Sequence, residues 1–426
     1  MRLMLLSMLA FSWLMACAAW AQPSFPDFDK LPVAKDLPDP LTALDGTKIA
    51  TKEQWEQKRK PELRELFQYY MYGYLPAAPK PDAIKATVVR ADEKYFGGKA
   101  TKKEISIAFG PPGCPTIDLL LIVPNKRSKP APAFVGLNFL GNHTVLKDPA
   151  IPLAKGWVPN DKDIKDNKSI EAHRGKQAER WEIENTIDQG YAVATFYYGD
   201  IAPDKPDFNA GVFPFYRKEG AAPGPQDWGA VAAWAWGIHR AVDYLVTDKD
   251  IDAGRIIAFG HSRNGKAAIV AAAFDERIAL AIPHQAGCGG TAPNRRKNPK
   301  GESVTRINTV FPHWFNDTFP KFNDNEDRLP FDQHCLVALC APRPVLFTNG
   351  EKDQWADPGG QLEMLKAASP VYEKIYSKRG MTDAPAEIGK LVGETLGYFV
   401  DAGPHTVTKE HWNTFIAFAN RQLGKP

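Results

Sequence analysis

The chain has 426 residues and a formal net charge of +3, long enough for one large core with insertions. No dense Lys/Arg block interrupts it, which excludes an electrostatic footprint for nucleic acid or an anionic membrane. Its five cysteines, Cys17, Cys114, Cys288, Cys335 and Cys340, have no zinc-site spacing, so neither a structural metal nor a cofactor is expected. They leave any disulfide pairing open.

Residues 1–21 read as an export leader. Arg2 supplies the positive start, residues 3–14 the apolar centre, and Ala19-Trp20-Ala21 a cleavage site of the A-x-A type. The apolar run is too short to span a membrane. Leu14-Met15-Ala16-Cys17 offers a second reading, a lipoprotein box anchored through Cys17, with Met in an unusual place. An exported protein is expected, periplasmic or secreted and monomeric, with residues 22–426 forming a single domain.

Residues 22 to about 60 are rich in Pro and charge and read as an extended N-terminal wrap. Residues 87–91, 104–109 and 116–123 alternate or run apolar, as strands do. Pro111-Pro112-Gly113 separates the last two and predicts an antiparallel hairpin. Short apolar runs follow at 133–139, 191–197, 255–259, 278–282, 345–348 and 396–400, the pattern of strands covered on both faces. A helix is predicted over 228–246, with Val231, Ala235, Ile238, Val242 and Leu245 on one stripe. This is an α/β chain: a mostly parallel twisted sheet in a three-layer sandwich. Two long polar, partly aromatic segments, near 140–187 and 291–333, are expected as insertions over the C-terminal edge of that sheet.

The most informative stretch is Gly260-His261-Ser262-Arg263-Asn264-Gly265-Lys266. An apolar run enters it and an Ala-rich run leaves it, so the serine sits at the apex of a strand–turn–helix. Such a serine is exposed above the sheet, over a positive helix N-terminus. Both features suit a nucleophile that builds an anionic tetrahedral intermediate. The usual G-x-S-x-G spacing is broken, because Asn264 stands where the second glycine belongs.

A serine hydroxyl needs a base, and the base an orienting acid. In the α/β-hydrolase order Ser–acid–His, His405 follows the last predicted strand, while His411 opens the final helix pattern and reads as packed. The strand at 345–348 runs into Asn349-Gly350-Glu351-Lys352-Asp353, so Asp353 is well placed, with Glu351 and Asp357 as close rivals.

These residues carry a resemblance. The 260–266 stretch is similar to the G-x-S-R-x-G-K elbow of the glucuronoyl esterases, carbohydrate esterase family fifteen. Gln285-Ala286-Gly287-Cys288-Gly289-Gly290, the run from Glu302 to Phe315, residues 329–334, Ala341-Pro342-Arg343-Pro344, Asp353-Gln354-Trp355 and Gly403-Pro404-His405 resemble its bacterial members too. The resemblance implies an α/β-hydrolase that cleaves esters of glucuronic acid, as in glucuronoxylan–lignin linkages. It implies Ser262 as nucleophile and His405 as base, with Arg263 at the oxyanion. Lys266 and Glu302 would hold ring hydroxyls, and Trp355 would line the sugar site. Some members carry a glutamate where Gln285 stands. Gln cannot serve as the anionic acid, which leaves that role to Asp353. Trp314 and Phe315 are open between lid core and sugar platform. Competing readings are an acetylxylan esterase, a peptidase, or a non-catalytic carbohydrate-binding protein on the same fold. Arg263 and Lys266 argue against the deacetylase, and the intact Ser, Asp and His set argues against the non-catalytic protein.

Overall fold

The computed structural model describes residues 25–217, 223–295, 297–382 and 385–426. The leader read at 1–21 and Cys17 lie outside the described residues.

Ten strands make one sheet: β1 (Lys85–Tyr95), β2 (Ala100–Ala108), β3 (Ile117–Pro124), β4 (Ala131–Asn138), β5 (Ala192–Tyr197), β6 (Ile251–His261), β7 (Ile278–His284), β8 (Val345–Gly350), β9 (Val392–Gly393) and β10 (Leu396–Asp401). Their spatial order is β1-β2-β3-β5-β4-β6-β7-β8-β10-β9. The predicted hairpin is the antiparallel β2–β3 pair, which runs in register from Ala100↔Pro124 to Ile107↔Ile117. From β5 across to β10 the neighbours are parallel. Every residue of β4 is buried, as an unalternating apolar run demands. At the opposite extreme β1, rich in Lys, Arg and Asp, is exposed over nearly its whole length and closes one edge. Charged side chains there discourage pairing with another chain.

The helices are α1 (Lys52–Gln54), α2 (Lys60–Phe67), α3 (Ala178–Trp181), α4 (Ile183–Asp188), α5 (Ala230–Leu245), α6 (Arg263–Phe274), α7 (Val304–Val310), α8 (Gln333–Leu339), α9 (Pro358–Pro370) and α10 (Lys409–Leu423). One core cluster packs α2, α5, α6, α8 and α9 on one face of the sheet. A smaller one packs Trp181, Ile183 and Ile187 with Trp412, Phe415 and Phe418 of α10 on the other. The result is a helix–sheet–helix sandwich. None of the described helices is long and apolar enough to cross a membrane.

Residues 25–51 are irregular apart from a 3₁₀ turn at Phe28–Lys30 and the Thr42–Lys48 bridge, whereas the last part of the expected extended segment is helical. From Lys52 the chain is helical through Tyr72, with π-helical turns at Trp55–Arg59 and Gln68–Tyr72. Thr51 and Gln54 form a capping box that starts it. Leu63, Leu66, Phe67 and Met71 are buried along it. The surrounding prolines and charges mask this stripe in the sequence. The described residues of 140–187 and 291–333 form short helices and 3₁₀ turns among irregular backbone.

The core buries several histidines without charging them. His239, inside α5, donates from Nε2 to the Ala271 carbonyl oxygen at 2.9 Å. Burial pulls its pKa down to about 4. A depressed folded-state pKa gives stability that is fully present above the unfolded value near 6.5 and lost as pH falls toward 4. His239→Gln keeps a donor and removes the titration. Between pH 7.5 and pH 5 the variant should therefore gain roughly 2 kcal/mol relative to wild type. Denaturant unfolding at the two pH values reads the difference. Parallel losses in both proteins would refute it.

Candidate active site

Parallel strands deliver their C-terminal ends to one edge, where open α/β sheets place their ligands. Ser262 follows β6, Gln285 follows β7, Asp353 follows β8 and His405 follows β10. Ser262 sits at φ 59° and ψ −127°, a strained conformation for a non-glycine residue. Its N–H donates to the His284 carbonyl oxygen at 3.0 Å, and its own carbonyl oxygen accepts from the Gly265 N–H at 2.8 Å. A Cβ on Gly260 would meet the Asn264 carbonyl oxygen at 2.0 Å, and one on Gly265 would lie 2.9 Å from the Gly260 oxygen. Both positions therefore need glycine. Asn264 is tolerated between them because its side chain turns away and donates to the Leu137 carbonyl oxygen at 3.0 Å. That is why this elbow departs from the usual spacing.

Asp353 Oδ2 lies 2.6 Å from His405 Nδ1. The other carboxylate oxygen accepts from the Ala356 N–H at 3.3 Å, so the acid is fixed at the start of a 3₁₀ turn. Its rivals are placed otherwise. Asp357 caps α9 through the Gly360 N–H at 3.1 Å, and Glu351 is exposed. Asp353 is buried, while the His405 side chain is 43% exposed, open to an incoming molecule. Gln285 donates from its amide to the Pro404 carbonyl oxygen at 3.0 Å. Gln285 thus tethers the loop bearing His405. His411 is fully buried in α10 and packs against the His284 ring at 4.4 Å between centroids.

All seven residues singled out in the sequence, Ser262, Arg263, Lys266, Glu302, Asp353, Trp355 and His405, line one cavity of about 300 Å³. A roomier cleft of about 450 Å³ at the end of β5 is lined by Cys114, Trp157 and Asp200 among others. Its lining includes no histidine or serine, so no hydroxyl–imidazole pair can act there.

Charge is concentrated in the cavity wall. Lys266 is buried and donates to the carbonyl oxygens of Ala286 and Cys288 at 2.6 and 2.5 Å. Glu302 lies 3.9 Å away. Burial lowers the Lys266 pKa against the pull of Glu302. Burial raises that of Glu302 against the pull of Lys266. Trp355 stands half exposed at the rim and accepts from the Glu302 N–H at 3.0 Å through its carbonyl oxygen. The Arg263 guanidinium lies 4.9 Å from the Trp314 ring and 5.3 Å from the Phe311 ring, within cation–π range. Those two rings stack on each other at 3.8 Å.

Three features were not legible in the sequence. Asp204, in the loop after β5, pairs with Arg263 and accepts from His313 Nε2 at 2.8 Å and Trp314 Nε1 at 2.7 Å. Trp314 is a buried part of the cavity wall, whereas Phe315 packs in the core against Tyr72 and Phe319. Cys114, Cys288, Cys335 and Cys340 are all free thiols. Among the described residues one group, Asp161, Asp163 and His173, has donor atoms close enough to share a cation. Lys176 already holds Asp163 at 2.7 Å, and none of the three lines the cavity.

A family model described as glucuronyl esterase, fungi, matches residues 177–375. Carbohydrate esterase MZ0003, from an unknown prokaryotic organism, is 43% identical over 95% of this chain and 94% of its own length. The 4-O-methyl-glucuronoyl methylesterase of Podospora anserina is 30% identical over 78% of this chain and 59% of its own. The solved glucuronoyl esterase from Solibacter usitatus superposes with a TM-score of 0.85 at 42% identity, covering 93% of this chain and 100% of that one.

Proposed function

The chain belongs to the glucuronoyl esterase family, carboxylic ester hydrolases on the α/β-hydrolase fold, and from that premise we propose that it hydrolyses esters of glucuronic acid and its 4-O-methyl ether, such as those joining glucuronoxylan to lignin alcohols, through Ser262, His405 and Asp353. The observation that carries this reading is the 2.6 Å Asp353–His405 contact in the same cavity as a serine held at φ 59°.

The chemistry follows from those positions. Ser262 Oγ attacks the ester carbonyl as His405 Nε2 takes its proton. Asp353 holds Nδ1–H, fixes the tautomer and stabilises the imidazolium. The carbonyl oxygen becomes an oxyanion beside Arg263, whose guanidinium and backbone N–H stand at the N-terminus of α6. Collapse expels the alcohol with the proton from His405. Water then repeats the sequence on the acyl-enzyme and releases the free acid.

The sugar ring lies toward Lys266 and Glu302. An ammonium has three N–H donors. Two of those on Lys266 go to backbone carbonyls, which leaves one on the Glu302 side. A ring hydroxyl placed between the two side chains accepts from Lys266 and donates to Glu302. Trp355 covers an apolar face of the ring. Because such a site penalises ligands that leave its buried polar groups unpaired, kcat/KM should rank methyl glucuronate above methyl galacturonate and above an acetylated xylose ester. Lys266→Ala should raise KM for methyl glucuronate about tenfold or more, the loss expected for a charged hydrogen bond, with a far smaller effect on an aryl acetate. If the acetyl ester is the better substrate, the glucuronoyl assignment fails even with Ser262 intact as nucleophile.

A further inference from the structure

We propose that Asp204 is a positioning residue for ester hydrolysis, holding the Arg263 guanidinium against the cavity wall where the oxyanion forms. The proposal rests on the reading of Arg263 as the oxyanion's cationic partner.

Asp204 sits in an irregular loop between Pro203 and Lys205, 59 residues before Arg263. Its side chain is only 4% exposed. Burial of a lone carboxylate costs several kcal/mol and needs compensation from well-placed partners. Asp204 has three. Oδ1 accepts from both His313 Nε2 and Trp314 Nε1. That division leaves Oδ2 for Arg263 Nη1, with which it makes a charge-assisted hydrogen bond. Burial pushes the Asp204 pKa up, but His313, Arg263 and Trp314 together hold it below the ordinary carboxylate value, so the group stays anionic. Trp314 closes the arrangement, because the indole that donates to Asp204 also lies over the Arg263 and Lys266 cations.

The guanidinium is therefore fixed from two sides, by a carboxylate at Nη1 and by the Trp314 and Phe311 rings. Arg263 is only 28% exposed. A long, flexible side chain without these contacts would lose rotamer entropy each time it met the oxyanion. Pre-orientation moves that cost into folding.

Charge and geometry predict opposite signs. Removal of the Asp204 charge makes the cavity more positive, which alone would favour an oxyanion and raise kcat. Loss of the anchor instead lets Arg263 drift, and a displacement of about 1 Å at a catalytic group can cost about 100-fold. Asp204→Asn is isosteric and keeps an acceptor for His313 and Trp314, but its amide N–H₂ can then face Arg263 with no acceptor.

The test is a double-mutant cycle on methyl glucuronate with Asp204→Asn, Arg263→Gln and the double variant. Asp204→Asn is expected to lower kcat roughly 10- to 100-fold and to change KM less than about threefold, since the contact matters in the transition state. In the Arg263→Gln background the same change should cost less than about twofold, because the group it positions is gone. A merely structural aspartate would lower kcat by the same factor in both backgrounds, and that outcome overturns the proposal, as does a rise in kcat for Asp204→Asn. If Arg263→Gln itself keeps wild-type kcat, the underlying reading of Arg263 falls, and the proposal with it. Should Asp204→Asn not fold, Trp314→Phe removes one donor to Asp204 and keeps a ring over Arg263. It should lower kcat by about threefold or more in wild type and by a clearly smaller factor beside Arg263→Gln. Equal effects in both backgrounds would again overturn the proposal.

Discussion

Ser262→Ala is expected to lower kcat on methyl glucuronate by roughly 10⁴-fold or more, the scale on which removal of a nucleophile acts. The thermal midpoint should hardly move. The strain at Ser262 belongs to the backbone: φ is 59° because β6 must turn straight into α6. Alanine occupies the same conformation with the same Cβ, so the substitution neither relieves nor adds strain. The turn is held by backbone hydrogen bonds from Ser262 N–H to His284 and from Gly265 N–H to Ser262, and by the contact of Gly260 with Asn264 that admits no Cβ. None of these uses the hydroxyl. The half-buried side chain adds little to the core. Two measurements bear on the assignment together, steady-state kinetics and covalent labelling by a fluorophosphonate. Both signals should vanish in the variant. Residual turnover within tenfold of wild type would place the nucleophile elsewhere.

The fold was legible because most of the parallel strands are short runs buried on both faces, and because the stripe at 231–245 marks α5 between β5 and β6. What the pattern could not convey was the direction of side chains in loops. Residues 349–357 offer three acids within seven positions, and only the fold reveals that Asp357 turns to cap α9, Glu351 faces solvent and Asp353 faces His405. Lys266 shares the serine's face of α6, as the four-residue spacing predicts. Its ammonium, however, is not free in the cavity but is tied beneath it by the carbonyls of the Gly-rich loop, where Gly287 and Gly289 take positive φ. Asp204 had no sequence signal at all. It lies in a loop without periodicity and gains its meaning from partners 59, 109 and 110 residues away. The helix that begins at Lys52, inside the end of the segment read as extended, was hidden for the opposite reason. Its capping box, Thr51 with Gln54, was in plain view, but the Pro-rich context before it read as extended chain.

Asp353→Asn is expected to lower kcat by roughly 10³-fold or more, in line with the about 10⁴-fold cost of the same change in a serine protease triad. The geometry explains why so small a change acts so strongly. Asp353 has one oxygen on His405 Nδ1 and the other on the Ala356 N–H. Asparagine can satisfy only one of these with its oxygen. If that oxygen stays with Ala356, the amide N–H₂ faces His405 and makes Nδ1 the acceptor. The proton then sits on Nε2, and the imidazole can no longer take one from Ser262. If the amide flips, the tautomer survives, but the imidazolium formed during attack loses its anionic partner in a buried setting where the charge counts most. Either arrangement raises the barrier to chemistry and leaves ground-state binding largely intact, so KM should change far less than kcat. The two neighbouring acids serve as controls on the same strand end. Glu351→Gln should be nearly silent. Asp357→Asn keeps an N-cap acceptor and should cost no more than about 1 kcal/mol of stability, with kcat within about threefold of wild type, as expected for a group outside the triad. A near-normal kcat for Asp353→Asn, together with a collapse in either control, would move the orienting acid to that residue and leave the Asp353–His405 contact without a catalytic purpose.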